Sequence, residues 1–306
     1  LAYTFKAGKS VEKNTRRVAK SQVDKAIAEI DDSDLGLNDT IHQVRKRCKK
    51  LRGLIRLVRP GFDDYAKENA AFREAAGSLS VLRDSEAMLE THDALMDFYA
   101  DRTDAPVYAS VRNRLVERQE EAAENHGLEE RLAVLRDRLS DAKPRIEKWE
   151  IEGNGFAAAA DGLRKTYKRG RDAMAEAAER PAPNSMHEWR KRVKYHRYHA
   201  QLLSDIWPAA METHVAAAKS LGDVLGDHHD LAVLQEALPS LFGGETDEMK
   251  AYLGLAQGRQ ALLASQALHC GQRVFAEKPS ALTRRWRHYW DAWQAGHEDA
   301  HLLQAA

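Results

Sequence analysis

The stretch Ile41 to Val58, IHQVRKRCKKLRGLIRLV, is written a second time at Met186 to Leu203 as MHEWRKRVKYHRYHAQLL. His42, Arg45, Lys46, Arg47, Lys49 and Arg52 become His187, Arg190, Lys191, Arg192, Lys194 and Arg197, each displaced by 145 positions (187 − 42). Further matches follow in the same order. Arg16, Arg17 and Lys20 correspond to Arg164, Lys165 and Lys168 at a shift of 148 (164 − 16), and Arg73, Leu79 and Asp84 to Lys219, Leu225 and Asp230 at 146 (230 − 84). Arg118-Gln119 corresponds to Arg259-Gln260 at 141 (259 − 118). A shift that drifts by a few residues is what loop-length changes leave behind. The chain therefore reads as one unit of about 145 residues used twice, far longer than a solenoid repeat, with halves at 1–152 and 156–306.

Each half is helical in pattern. Apolar residues recur at three- and four-residue steps, and no segment alternates as a strand would. Breaks are expected at Pro60-Gly61, Asp101 to Pro106, Gly127, Pro144, Gly153-Asn154-Gly155, Pro181 to Pro183, Pro239 to Gly244 and Pro279. They leave helices near 9–31, 39–59, 63–99 and 105–150, the last broken at Gly127, then 156–179, 184–206, 209–238 and 245–303, the last interrupted near Pro279. The expected class is all-α, with four long helices per half burying their stripes in antiparallel four-helix bundles.

Taken as one helix from an Asp39 or Thr40 cap to Pro60-Gly61, the first motif has two distinct faces. Ile41, Val44, Cys48, Leu51, Ile55 and Val58 form the stripe expected to face a core. His42, Arg45, Lys49, Arg52, Arg56 and Arg59 form a second stripe, with a cation about every 5.4 Å of rise. In the second copy Met186, Trp189 and Val193 take the core side, and His187, Arg190, Lys191, Lys194 and Arg197 the basic side. Arg47 and Arg192 step off the face towards solvent. Residues 45–59 hold eight cations and no acid, and residues 164–171 hold five and no acid. Solvated faces usually mix signs to limit self-repulsion. Two unmixed faces at equivalent positions point instead to a site for a large anion, with each imidazole able to donate to a phosphate oxygen.

The whole chain carries 47 basic and 47 acidic residues, so the basic faces reflect segregation of charge and not a basic composition. That balance argues against general adhesion to nucleic acid. No apolar run approaches the roughly 18 residues of a membrane span, and no signal peptide is read, so the cytoplasm is the expected compartment and no membrane partner is expected. Cys48 and Cys270 lack metal-ligand spacing, and Cys48 reads as a small core residue. Asp227, His228, His229 and Asp230 offer metal-ligand types, but consecutive helical positions point in different directions, so no metal and no cofactor are expected.

These residues resemble the CHAD family, the conserved histidine α-helical domain. The resemblance rests on His42-x-x-Arg45-Lys46-x-x-Lys49-x-x-Arg52 and its copy His187-x-x-Arg190-Lys191-x-x-Lys194-x-x-Arg197. It extends to Leu82-Arg83-Asp84, Leu225-Gly226-Asp227-His228-His229-Asp230, Leu163-Arg164-Lys165-Thr166-Tyr167 and Phe275-Ala276-Glu277-Lys278-Pro279. The family implies two four-helix bundles related by pseudo-twofold symmetry, with basic helices lining a groove or pore that binds inorganic polyphosphate. It also implies a link to polyphosphate granules. Some members are fused to a triphosphate-tunnel β-barrel with paired acidic residues on its strands, a pattern not found here. One departure stands out: Tyr195, His196, Tyr198 and His199 replace Lys50, Leu51, Gly53 and Leu54.

The resulting expectation is a non-catalytic polyphosphate-binding protein. The resemblance assigns the contacts to His42, Arg45, Lys46, Lys49, Arg52, His187, Arg190, Lys191, Lys194 and Arg197. Arg16, Arg17, Lys20, Arg164, Lys165, Lys168, Arg73 and Lys219 form a second rank. Three rival readings remain: nucleic-acid binding through the same groove, metal-dependent phosphate hydrolysis at the Asp-His-His cluster, and an adaptor whose basic faces pair with acids such as Glu120, Glu121 and Glu124.

Overall fold

The computed structural model describes residues 2–77, 80–102, 108–123, 127–242 and 246–305, the side chains of 80–84, 122, 123 and 300–305 apart. The described residues form helices joined by turns. The first half contains α1 (Val11–Asp31), α2 (Leu37–Leu57), α3 (Tyr65–Gly77), α4 (Ser80–Phe98), α5 (Ala109–Ala123) and α6 (Leu128–Glu147). The second contains α7 (Ala157–Glu179), α8 (Pro183–Leu202), α9 (Pro208–Phe242), α10 (Asp247–Val274) and α11 (Pro279–Ala305). The Ser10 hydroxyl caps α1 by accepting from the Lys13 N–H at 3.1 Å, satisfying one of the helix's otherwise orphaned donors.

Most expected breaks are present. Gly127 turns the chain between α5 and α6 at φ 103°, and Gly153 and Gly155 link the halves at φ 93° and 52°. These are left-handed conformations that glycine adopts without a Cβ penalty. One expected break is absent, because Pro144 lies inside α6, while the break expected from Pro239 to Gly244 comes after Phe242, with Pro239 still inside α9. Both prolines fall in the last turns of their helices, where the donor that proline lacks costs one bond and the helix is about to end. The motif helix also begins earlier than expected. Gly36 occupies the cap position and Asp39 sits in the first turn, a favourable place for an anion.

The apolar stripe of α2 packs as its spacing predicts: Ile41, Val44, Cys48, Leu51, Ile55 and Val58 are all buried. In α8 Met186, Trp189 and Val193 are buried, and so are His196, Tyr198 and His199. α8 packs against α7, α9 and α2 together, which explains its departure from the first copy. Of the four replacements, His196, Tyr198 and His199 are enclosed by neighbouring helices and Tyr195 is half-buried.

α2 and α8 cross at Gly53. A Cβ there would lie 2.8 Å from the Tyr198 ring, and the Gly53 carbonyl lies 3.0 Å from His199 Nε2. α2 also meets α7, where a Cβ on Gly162 would lie within bonding distance of the Leu57 carbonyl oxygen. The backbones approach so closely that only glycine fits. The N-terminal segment ties the halves further, since the Phe5 N–H donates to the Leu202 carbonyl at 2.7 Å and Tyr3 Oη donates to the Lys50 carbonyl at 2.6 Å.

Candidate anion-binding groove

The crossing at Gly53 brings the two basic faces to one place. Lys194 on α8 comes close enough to Lys49 on α2 for their charges to oppose each other, and Arg190 and Arg197 add to the repulsion. Burial, followed by those three cations, pushes the Lys194 ammonium down to about 7, while Asp230 on α9 opposes the shift. Burial also brings Lys50 down to about 8, with Arg47, Lys46, Arg197 and Lys25 contributing. An ammonium depressed this far is held among like charges in a poorly hydrated wall.

The Nε groups of Arg190 and Arg197 are buried and carry no hydrogen bond in the protein. Arg52 Nε donates to Asn69 Oδ1 at 3.3 Å, which fixes its direction without neutralising it. Lys46 Nζ likewise donates to the neutral Gln43 side chain, at 3.4 Å. Lys191 instead pairs with Glu188. His42 is exposed near the start of α2, and Arg45 and Lys49 are half-buried farther along it. Arg45, Lys49 and Arg52 all act on the buried Cys48 thiol, yet burial dominates and pushes that thiol up to about 12, as befits an inert core residue.

The His187 ring lies in tilted contact with His229 of α9, with ring centroids 4.0 Å apart. Burial, then His187, Arg190, His228 and Lys194, push His229 down to about 4. Burial, with Lys191 and Arg190, lowers His187. Both rings are therefore neutral at pH 7 and can donate without adding charge. The remaining members of the α9 cluster diverge. The His228 carbonyl accepts from Gln260 Nε2 at 3.1 Å, while Asp227 and Asp230 line a cleft with Arg259 between α4, α9 and α10. Among the described residues, no three His, Cys, Asp or Glu side chains are grouped to share one ion.

The second-rank cations are arranged differently. Arg16 Nε donates to the Trp149 carbonyl at 2.6 Å and Arg16 Nη2 pairs with Glu12 at 3.1 Å. Arg17 Nη2 donates to the Thr4 carbonyl at 2.5 Å and to Asn14 Oδ1 at 3.0 Å. Lys20 pairs with Glu147 at 2.7 Å, Arg164 with Asp161 at 3.0 Å, and Lys168 with Asp172 at 2.7 Å. Lys219 pairs with Asp223 at 2.6 Å and Arg73 with Glu74 at 3.6 Å, while Lys165 is exposed on α7. Most of these cations have an acid at hand, and Arg16 and Arg17 also hold backbone carbonyls of the first half.

Two neighbours of the motif correct the sequence reading. Arg47 is not solvated: it is largely buried in a two-nitrogen contact with Glu29, at 2.5 and 3.0 Å. Arg192 pairs with Glu188 at 3.2 Å and faces α7. Leu82, Arg83 and Asp84 lie outside the residues whose side chains are described, as does Glu124. Glu120 and Glu121 are exposed on α5.

Known proteins share this architecture. The CHAD domain family profile matches residues 17–239. Two solved structures superpose on the chain with a TM-score of 0.60 at 15% identity, each covering 88% of it. One is the CHAD domain from the plant Ricinus communis, with 95% of that chain covered, and the other is PptA from Streptomyces chartreusis, with 100% covered. Uncharacterized proteins from two strains of Mycobacterium tuberculosis are 29% identical over 216 residues, 65% of this chain. The aligned region spans 40% of the length of those relatives. With the family profile covering most of its length and the helical architecture agreeing, the chain belongs to the CHAD domain family.

Proposed function

We propose that the groove between α2 and α8 binds inorganic polyphosphate, and that the chain holds this polymer without cleaving it. The observation that carries the reading is the crossing of α2 and α8 at Gly53, which brings the faces of Lys49 and Lys194 together; the depressed Lys194 ammonium agrees with it. Like charges gathered in a half-buried wall destabilise the unliganded protein, and a bound polyanion relieves them. Helical spacing supports a linear ligand, because successive cations on α2 rise by about one turn and can meet successive phosphates. Arginines give forked contacts and lysines point charges, so one groove supplies both. No described helix is long and apolar enough to cross a membrane, and the proposed setting is the cytoplasm, at polyphosphate granules.

A salt-dependent titration with long-chain polyphosphate, beside single- and double-stranded nucleic acid of equal total charge, tests the reading. Affinity for polyphosphate falls steeply with salt, because phosphate contacts release counterions. The pair Lys49→Glu with Lys194→Glu abolishes the preference for polyphosphate. Equal binding of every polyanion by the unmutated chain would reduce the groove to a generic basic surface. Phosphate released from the polymer under any metal would overturn the non-catalytic part.

A further inference from the structure

The groove does not end at Lys49 and Lys194. Arg52 and Arg56, one turn apart on α2, both donate to Asn69 Oδ1 at 3.3 Å, so the first leads directly to the second. Arg56 lies over the Tyr195 ring of α8, 4.2 Å from its centroid, and 5.9 Å from the centroid of Tyr65. Arg59 lies over the same Tyr65 ring at 4.6 Å. Two tyrosines thus hold two guanidiniums by their faces, leaving guanidinium edges for an oxyanion. The turn that carries Arg59 packs against α7, where Arg169 is exposed; partial burial first, then the charges of Arg192, Arg59 and Arg56, lower its guanidinium. Arg192 shares Glu188 with Lys191, so a single carboxylate serves two cations there.

We propose that Arg56, Arg59, Arg169 and Arg192 form a second phosphate-binding subsite continuous with the central groove, so that the protein selects polyphosphate chains long enough to occupy both. This inference rests on the polyphosphate reading and adds to it a length requirement and a direction. Lys49 and Arg56 are seven residues apart on α2, about 10 Å along the helix axis, and Arg59 lies in the turn beyond its end. Tripolyphosphate can fill the central cluster and cannot reach the arginines. A long chain bound at Lys49 and Lys194 can continue past Arg52 into the annex.

The test compares the unmutated chain with Arg169→Gln and with Arg169→Gln plus Arg192→Gln, each titrated with tripolyphosphate and with long-chain polyphosphate over a salt series. Arg169 is exposed, so its replacement leaves the core untouched; matched thermal unfolding checks this. Affinity for the long chain is expected to fall about 10-fold in the double variant. Its salt slope should flatten by about 1.4, two contacts at roughly 0.7 each for a single-stranded polyanion. Tripolyphosphate affinity stays unchanged. Unchanged long-chain affinity overturns the annex, and so does a parallel loss for both ligands. Failure of the unmutated chain to bind either ligand would remove the groove reading itself, a result distinct from both.

Discussion

Binding a polyanion beside Lys194 should load that residue with a proton. In the unliganded protein burial and the charges of Lys49, Arg190 and Arg197 hold its ammonium near 7. At pH 8 only about a tenth of the molecules carry the proton there. Phosphate oxygens against the amine cancel the repulsion from Lys49, Arg190 and Arg197 and offset the burial by accepting hydrogen bonds from the charged form. If they raise it above about 9, roughly nine-tenths of the complexes carry it, an uptake of about 0.8 proton per site. Lys50, held near 8, adds a smaller share if the polymer reaches it. Near pH 6 both amines are already charged and the uptake vanishes. Affinity should therefore weaken above pH 7, by at most about 10-fold per pH unit for the Lys194 proton. Titration calorimetry at pH 8 in two buffers of unequal ionisation heat gives the proton number directly. Lys194→Arg keeps the charge and removes that part of the uptake. Zero uptake at pH 8, with affinity flat from pH 6 to 9, would refute the argument that a bound polyanion recharges Lys194.

Burial holds His199 near 3 and His214 near 4, well below the ordinary value of 6.5, so the unfolded chain takes up these protons first. Stability is full above pH 6.5 and falls below it, by about 1.4 kcal/mol per pH unit for each ring; urea unfolding at pH 7 and pH 5 measures the loss. Gly162→Ala forces a methyl into the Leu57 carbonyl and should cost about 2–3 kcal/mol, whereas Gly254→Ala, with open space around it, should stabilise by up to about 1 kcal/mol. Glu68 is buried against Arg145 Nε at 2.9 Å, so Arg145→Met strands a carboxylate and should cost about 3–5 kcal/mol in chemical denaturation, more than Arg145→Lys.

The core stripe of α2 was legible in the sequence because period and burial coincide there, from Ile41 to Val58. The two motif copies were legible as equivalent, but nothing in their spacing says that they cross. The crossing depends on Gly53 and Gly162, single residues whose missing side chains let backbones touch. Pairing was also out of reach. Arg47 looked solvated because its partner Glu29 sits on another helix, 18 residues away in the chain. Residues 164–171 hold no acid, yet two of their cations are paired locally. Asp161 and Asp172 flank the run at helical spacing and pair with Arg164 and Lys168. Tyr195 and the buried His196, Tyr198 and His199 stood out in the sequence only as a departure from the first copy. They are what a helix enclosed by α2, α7 and α9 requires, with Tyr195 seated on Arg56.

The central claim is a place, the groove between α2 and α8. A crystal structure of the protein with polyphosphate of defined length tests it most directly. The account predicts a continuous chain of phosphates within hydrogen-bond distance of both Lys49 and Lys194. Phosphates confined to the outer cations Arg164, Lys168 and Lys219, with the groove filled only by water, would contradict it.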